Sequence, residues 1–145
     1  MKLSVIIPCH NEEKNIFLFY DEFKNAFKYY KGTFELIFVD DGSKDGTLSE
    51  IKKLVNKKND CIKGISFSRN FGKEAAMYAG LVEAKGDCIS IIDADLQQKP
   101  SVLLNMLKIL EKDKDLDCVC AFQEKRKEWH ILHVFYEKLV FFHGK

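Results

Sequence analysis

The sequence predicts an α/β fold: a mostly parallel sheet flanked by helices on both faces. Three observations lead there. Short apolar runs of strand length alternate with amphipathic stretches of helix length. The strand-like runs are apolar almost throughout, not at every second residue. Most of them break off into loops that carry acids, asparagine or glycine. A strand that is apolar on both sides needs cover on both sides, and the helices that join parallel strands supply it. A chain of 145 residues suits one domain with a core of its own.

The elements follow in order. "LSVIIP", residues 3–8, is a continuous apolar run and the first strand. Ile16, Tyr20, Phe23, Phe27 and Tyr30 then recur at spacings of four and three, one stripe of a helix. "FELIFVDDGS" is a second buried strand ending in acid and glycine. Ser43 or Asp45 can cap the next helix, whose inner face holds Leu48, Ile51, Leu54 and Val55. "CIKGISFSRN" reads as a third strand. The helix after it carries Ala75, Ala76, Ala79 and Gly80, small residues that let a helix sit close to a sheet. "DCISIID" is the fourth strand. After "LQQKP" comes a helix with Leu103, Met106, Leu107 and Leu110 inward, then a fifth strand, "LDCVCAF". The aromatic-rich "WHILHVFYEKLVFFHGK" that closes the chain reads as a helix, with His130 and His133 on one face as packing or surface residues.

Composition excludes several function classes. Lys and Arg number 23 against 22 Asp and Glu, and the basic residues form no long block. No field favours nucleic acid. The five cysteines are an odd number without a C-x-x-C pair, and Cys118 and Cys120 are expected to point to opposite faces of their strand; both features argue against a disulfide framework or a zinc site and for reduced thiols. That suits a cytoplasmic protein. No apolar stretch is long enough for a signal peptide or a membrane span. Neither GxxxxGK[ST] nor GxGxxG is present. A phosphoacceptor receiver domain would need a lysine at the end of the last strand, where "LDCVCAF" has none.

In a parallel sheet the C-terminal strand ends share one edge, and ligands bind there. That edge collects Pro8, His10, Asn11 and Glu12 from the first strand, Asp40 and Asp41 from the second, Arg69 from the third, and Asp93 and Asp95 from the fourth. Asp93 and Asp95 repel each other unless a cation intervenes. Carboxylates suit Mg²⁺ or Mn²⁺, whose remaining positions go to water and substrate phosphates, and Gln97 can add an oxygen. Asp40 and Asp41 accept hydrogen bonds from a base or a ribose. Asn11 and Glu12 either do the same or simply open a helix. Arg69 suits a diphosphate, and Lys73 adds charge. The sum is a site for a nucleoside diphosphate and a divalent metal.

Four ordered segments, "SVIIPCHNEEKNI", "IFVDDGSKDGT", "SFSRNFGKEAAMYAGL" and "IDADLQQKP", resemble the family 2 glycosyltransferases of GT-A fold over roughly the first hundred residues. The nearest branch is that of the polyprenyl-phosphate (dolichol-phosphate mannose synthase-like) sugar transferases. The resemblance implies a UDP- or GDP-sugar donor, with positions matching Pro8, His10, Asn11, Glu12 and Asp40 around the nucleoside and Arg69 near the donor. It implies that Asp93 and Asp95 engage the donor sugar and the metal diphosphate, with Gln97 joining Asp95 at the metal. The chemistry implied is inverting transfer, in cell-envelope glycan synthesis, to an acceptor that is a polyprenyl phosphate. A phosphate oxygen is already anionic and needs no general base. Branch members carry two arginines three apart before a Phe-Tyr pair. Arg126 and Phe135-Tyr136 match, and Gln123 stands at the first arginine position. Family catalytic domains run well past this length. Residues 1–122 are therefore expected to form the donor domain and residues 123–145 to begin the acceptor side. The aromatic tail is expected to be a membrane-surface helix at the cytoplasmic face or a core helix lacking its cover, with self-association possible in either case. A nucleotide-sugar-binding module without turnover is the alternative.

Overall fold

The structure, a computed structural model, describes residues 1–57, 61–113, 115–125, 128–132 and 140–143. The expected alternation is present. Strands β1 (Lys2–Cys9), β2 (Thr33–Asp40), β3 (Ile62–Ser66) and β4 (Cys88–Ile91) are separated by helices α1 (Ile16–Ala26), α2 (Thr47–Asn56) and α3 (Lys73–Glu83). Helix α4 (Ser101–Lys112) leads to β5 (Cys118–Lys125), β6 (Glu128–Leu132) and β7 (Val140–His143). The sheet order is β3-β2-β1-β4-β7-β5-β6. The first four strands pair in parallel, and β7 joins β4 and β5 antiparallel to both.

The aromatic tail departs from expectation. Its sequence reads as a helix, yet its described parts are the strands β6 and β7. Trp129, Ile131, Val140, Phe141 and Phe142 are the β-branched and aromatic residues that strands favour, and runs of four or five residues are too short to show a helical or strand period. His130 therefore sits in a strand, opposite Phe122. His133, Arg126 and Phe135-Tyr136 lie outside the described residues. Cys118 and Cys120 need a second correction. Residues two apart in a strand share a face, and their Sγ atoms lie 3.8 Å apart.

Side chains alternate across β1 and β2 into two layers. Leu3, Val5, Ile7, Leu36 and Phe38 pack with Phe19 and Phe23 of α1, Leu54 of α2 and Leu103 and Leu107 of α4. Ile6, Ile37 and Val39 face Ala76 of α3 instead. The small-residue stripe of α3 explains how closely that helix sits. A Cβ built on Gly80 would lie 2.3 Å from Cγ2 of Ile6 and within 3.2 Å of its Cβ, so rotating the Ile6 side chain does not relieve the clash. Gly80→Ala is expected to cost about 1–3 kcal/mol by overpacking, outweighing the gain of roughly 1 kcal/mol in helix propensity. Urea unfolding checks this; an unchanged or raised midpoint would show that the helix can back away.

At the N-terminal end of the same layer lies a buried polar cluster. Glu35 is 4% exposed. Its carboxylate accepts bonds from the Ser4 hydroxyl at 2.6 Å and the Lys85 N–H at 2.7 Å. Lys63 pairs with it at 3.0 Å and also donates to the Glu83 carbonyl at the end of α3. Ser4 in turn accepts the Gly86 N–H. The cluster ties β1, β2 and β3 to the last turn of α3.

Candidate active site

The loops after β1, β2, β3 and β4 open at one edge of the sheet, because the parallel register brings Cys9 beside Asp40 and Asp40 beside Ser66. Two of these loops are stitched together. The Asn11 N–H donates to Ser43 Oγ, and Asn11 Oδ1 accepts the Lys44 N–H. The Glu12 N–H donates to Thr47 Oγ1, and the Glu13 N–H to Asp45 Oδ2. The Gly46 N–H returns a bond to Glu13. Asp45 also accepts the Thr47 hydroxyl and the Thr47 N–H, from two residues before the helix, whose N-cap is Gly46. Burial tends to raise the Asp45 pKa, but these bonds outweigh it and hold the carboxyl below its ordinary value.

Asn11 has φ +57° and Leu96 φ +60°. Asparagine tolerates the left-handed region; leucine is uncommon there. Leu96 follows Asp95 directly, so the tight turn that presents that acid carries backbone strain. Gly42 has φ +61°, and a Cβ on it would lie 2.3 Å from the Arg69 carbonyl carbon, so only glycine lets the second and third loops touch.

A cavity of about 330 Å³ lies at this edge. Seven of the residues singled out above line it: Pro8, His10, Glu12, Asp41, Lys73, Asp93 and Asp95. Asn11, Asp40, Arg69 and Gln97 stand outside its wall. Asp40 is buried beneath it, accepting the Ser43 N–H and the Ser66 hydroxyl. Arg69 lies 4.7 Å over the ring of Phe71. Gln97 is exposed and donates its N–H to Asp95 Oδ1 at 3.0 Å. The buried amide of that turn is Gln98, whose Oε1 has no hydrogen-bond partner among the described residues.

Asp41 is 3% exposed, and its two oxygens accept the Phe71 and Gly72 N–H groups at 2.7 and 3.0 Å. It holds the third loop against the rim. His10 places Nδ1 2.8 Å from the Asp41 carbonyl oxygen and Nε2 3.2 Å from Asn11 Nδ2. Asn70 Nδ2 also lies 3.2 Å from His10 Nδ1, so the ring is held between the first, second and third loops. Lys73, at the first position of α3, pairs with Asp93 at 2.5 Å.

Cys9, Asn70, Gly72, Ala76 and Ala94, none of them a site residue in the sequence analysis, complete the lining. Asn70 adjoins the flagged Arg69, so its place in the third loop was the one available signal. Cys9 donates its S–H to the Ile7 carbonyl. Burial first, then the charges of Glu12, Asp40 and Asp93, push its thiol well above the usual range. It remains protonated at neutral pH and inert. Iodoacetamide is expected to label exposed Cys118 long before Cys9 in the folded chain; equal rates by mass spectrometry would contradict this.

The family model for glycosyl transferase family 2 matches residues 4–143. The chain belongs to glycosyl transferase family 2. Family relatives include the dodecaprenyl-phosphate galacturonate synthase of Rhizobium johnstonii, 35% identical over 128 residues, or 88% of this chain and 38% of the relative. A prophage bactoprenol glucosyl transferase homolog of Escherichia coli is 36% identical over 137 residues, covering 89% of this chain and 44% of the relative. The chain thus spans well under half the length of either. A mannosyltransferase from Pyrobaculum calidifontis, solved with GDP-Man and Mn²⁺, shares the fold at TM-score 0.76 and 24% identity, over 97% of this chain and 44% of that one. Glucosyl-3-phosphoglycerate synthase of Mycobacterium tuberculosis, solved with Mn²⁺, UDP and phosphoglyceric acid, aligns at TM-score 0.62 and 25% identity, over 81% of this chain and 41% of that one. The chain accordingly carries the GT-A fold that these structures share.

Proposed function

We propose that this glycosyltransferase moves a sugar from a nucleoside diphosphate donor to a polyprenyl phosphate with inversion. The single observation that carries the reading is the meeting of Asp93 and Asp95 with His10, Glu12 and Asp41 in one cavity at the C-terminal sheet edge. The names of two relatives pair different sugars with a polyprenol, dodecaprenyl phosphate in one and bactoprenol in the other, which favours the lipid and leaves the sugar open.

The nucleoside sits at the Pro8, His10 and Glu12 end of the cavity. There the His10 ring lines the wall, and the Glu12 carboxylate can meet N–H and O–H donors of base and ribose. The diphosphate lies toward the first turn of α3, where free N–H groups and Lys73 favour anions. Asp93 addresses the donor sugar. The residues present fit a divalent cation only in partnership with the diphosphate. Among the described residues no three His, Cys, Asp or Glu side chains cluster as a metal cage. Asp95 is the acid left for it, since Asp93 is paired with Lys73, and Gln97 lies one turn away. Mn²⁺ or Mg²⁺ bound there supplies charge neutralisation at the leaving diphosphate. The acceptor phosphate oxygen attacks the anomeric carbon, the bond from that carbon to the diphosphate oxygen breaks, and the nucleoside diphosphate departs with the bonding pair. One displacement inverts the centre, and no proton has to be removed from the nucleophile. Residues 123–145, with Arg126, begin the acceptor side, at the cytoplasmic membrane face. No helix among the described residues is long and apolar enough to cross a membrane.

Calorimetric titration with UDP and GDP, with and without Mn²⁺, tests the donor half. Release of labelled nucleotide on adding polyprenyl phosphate tests the rest. Metal-dependent binding of one nucleotide followed by transfer is expected. Binding without transfer would make the chain a nucleotide-sugar-binding module, and no binding would overturn the reading.

A further inference from the structure

The Lys73–Asp93 pair does not follow from the fold's own needs. A cation in the first turn of a helix works against the helix dipole, which favours acids there. Lys73 nevertheless stands at the first position of α3, half-exposed, with its ammonium 2.5 Å from Asp93 Oδ1. Both residues line the cavity together with Asp95. The pair is solvent-accessible, so it contributes little to stability. Its effect is local: it occupies one of the two carboxylates that would otherwise attract a free divalent cation, and it adds a positive charge to the cavity that Asp95 also lines.

We propose that Lys73 sets the order of binding, holding Asp93 so that a divalent cation binds weakly until a nucleoside diphosphate arrives. This rests on the donor-site reading above. The diphosphate offers Lys73 a more highly charged partner at the same helix end. Moving the ammonium from Asp93 to a phosphate oxygen frees Asp93 for the donor sugar and removes the charge that repels the metal. Metal and nucleotide therefore enter as a unit, and the empty site does not collect free cations. A purely structural lysine would do none of this.

The test uses the purified chain and Lys73→Met, with free Mn²⁺ followed by electron paramagnetic resonance and nucleotide binding by calorimetry. Without nucleotide, Lys73→Met is expected to bind Mn²⁺ on the order of tenfold more tightly than the parent, because a like charge a few ångströms from the ion has gone. For UDP or GDP in the presence of Mn²⁺ the sign reverses, and the variant binds more weakly. Lys73→Arg, which keeps the charge, should restore weak Mn²⁺ binding. A general loss of structure would weaken both ligands together, and circular dichroism reports it separately. Unchanged or weaker Mn²⁺ binding by folded Lys73→Met, with nucleotide binding intact in the parent, overturns the role of Lys73 alone. A parent chain that binds neither nucleotide overturns the donor-site reading, and the exchange onto diphosphate with it.

Discussion

Asp95→Ala is expected to lower sugar transfer by about a hundredfold or more, the scale of losing one aimed electrostatic group at a reacting centre, while the fold survives. Asp95 lines the cavity and is half-exposed, and among the described residues its side chain accepts the Gln97 N–H. Losing such a local bond costs about 1 kcal/mol. Asp40→Ala is the instructive contrast. Asp40 is buried, lies outside the cavity wall and holds both the Ser43 N–H and the Ser66 hydroxyl, so its removal loosens two strand ends before it touches any ligand. Transfer assayed with labelled donor, beside thermal melts of both variants, separates the two. Transfer by Asp95→Ala within tenfold of the parent would remove Asp95 from the proposed chemistry.

The largest expected loss of stability comes from Glu35→Ala, about 2–4 kcal/mol by urea unfolding, because Ser4, the Lys85 N–H and Lys63 all lose their acceptor. The pH dependence follows with a definite sign. Burial works to raise the Glu35 pKa, but the bonds from Ser4, Lys63 and Lys85 and the charge of Lys63 outweigh it, so the folded value lies below the ordinary 4.5. A depressed carboxyl stabilises fully above its unfolded pKa, and that contribution fades as pH falls through the folded value. Glu35→Ala should therefore flatten the acid limb of the stability curve. An acid limb as steep as the parent's would assign that sensitivity to other carboxylates.

The parallel half of the fold was legible because its strands are long apolar runs and its helices long amphipathic ones. In both, the pattern repeats often enough to declare its period. The site was legible in outline for a related reason: once the strands are parallel, Glu12, Asp41 and Asp95 must meet at one edge. Which acids face the cavity and which lie behind it was not legible. Asp40 and Asp41 are adjacent and chemically identical, and only the course of the loops separates a buried turn anchor from a rim residue. The Lys73–Asp93 pair joins positions 20 apart through two loops and leaves no periodic trace. The antiparallel half escaped for a different reason. β6 and β7 are short and aromatic, and the strand identity of β7 is conferred by partners distant in the chain, which no local window contains.

The position of β7 bears on how the chain acquires its shape. Residues 140–143 lie in the interior of the sheet, between β4 and β5, although they are the last described strand in the sequence. Until they arrive, β4 presents one bare edge and β5 another, each a template for pairing with a second chain. The sheet is therefore completed by the last of its described strands, through pairings that span about fifty residues back to β4. Such distant contacts form slowly. The parallel half can therefore assemble first, and the antiparallel strands lock on once residues 140–143 have joined.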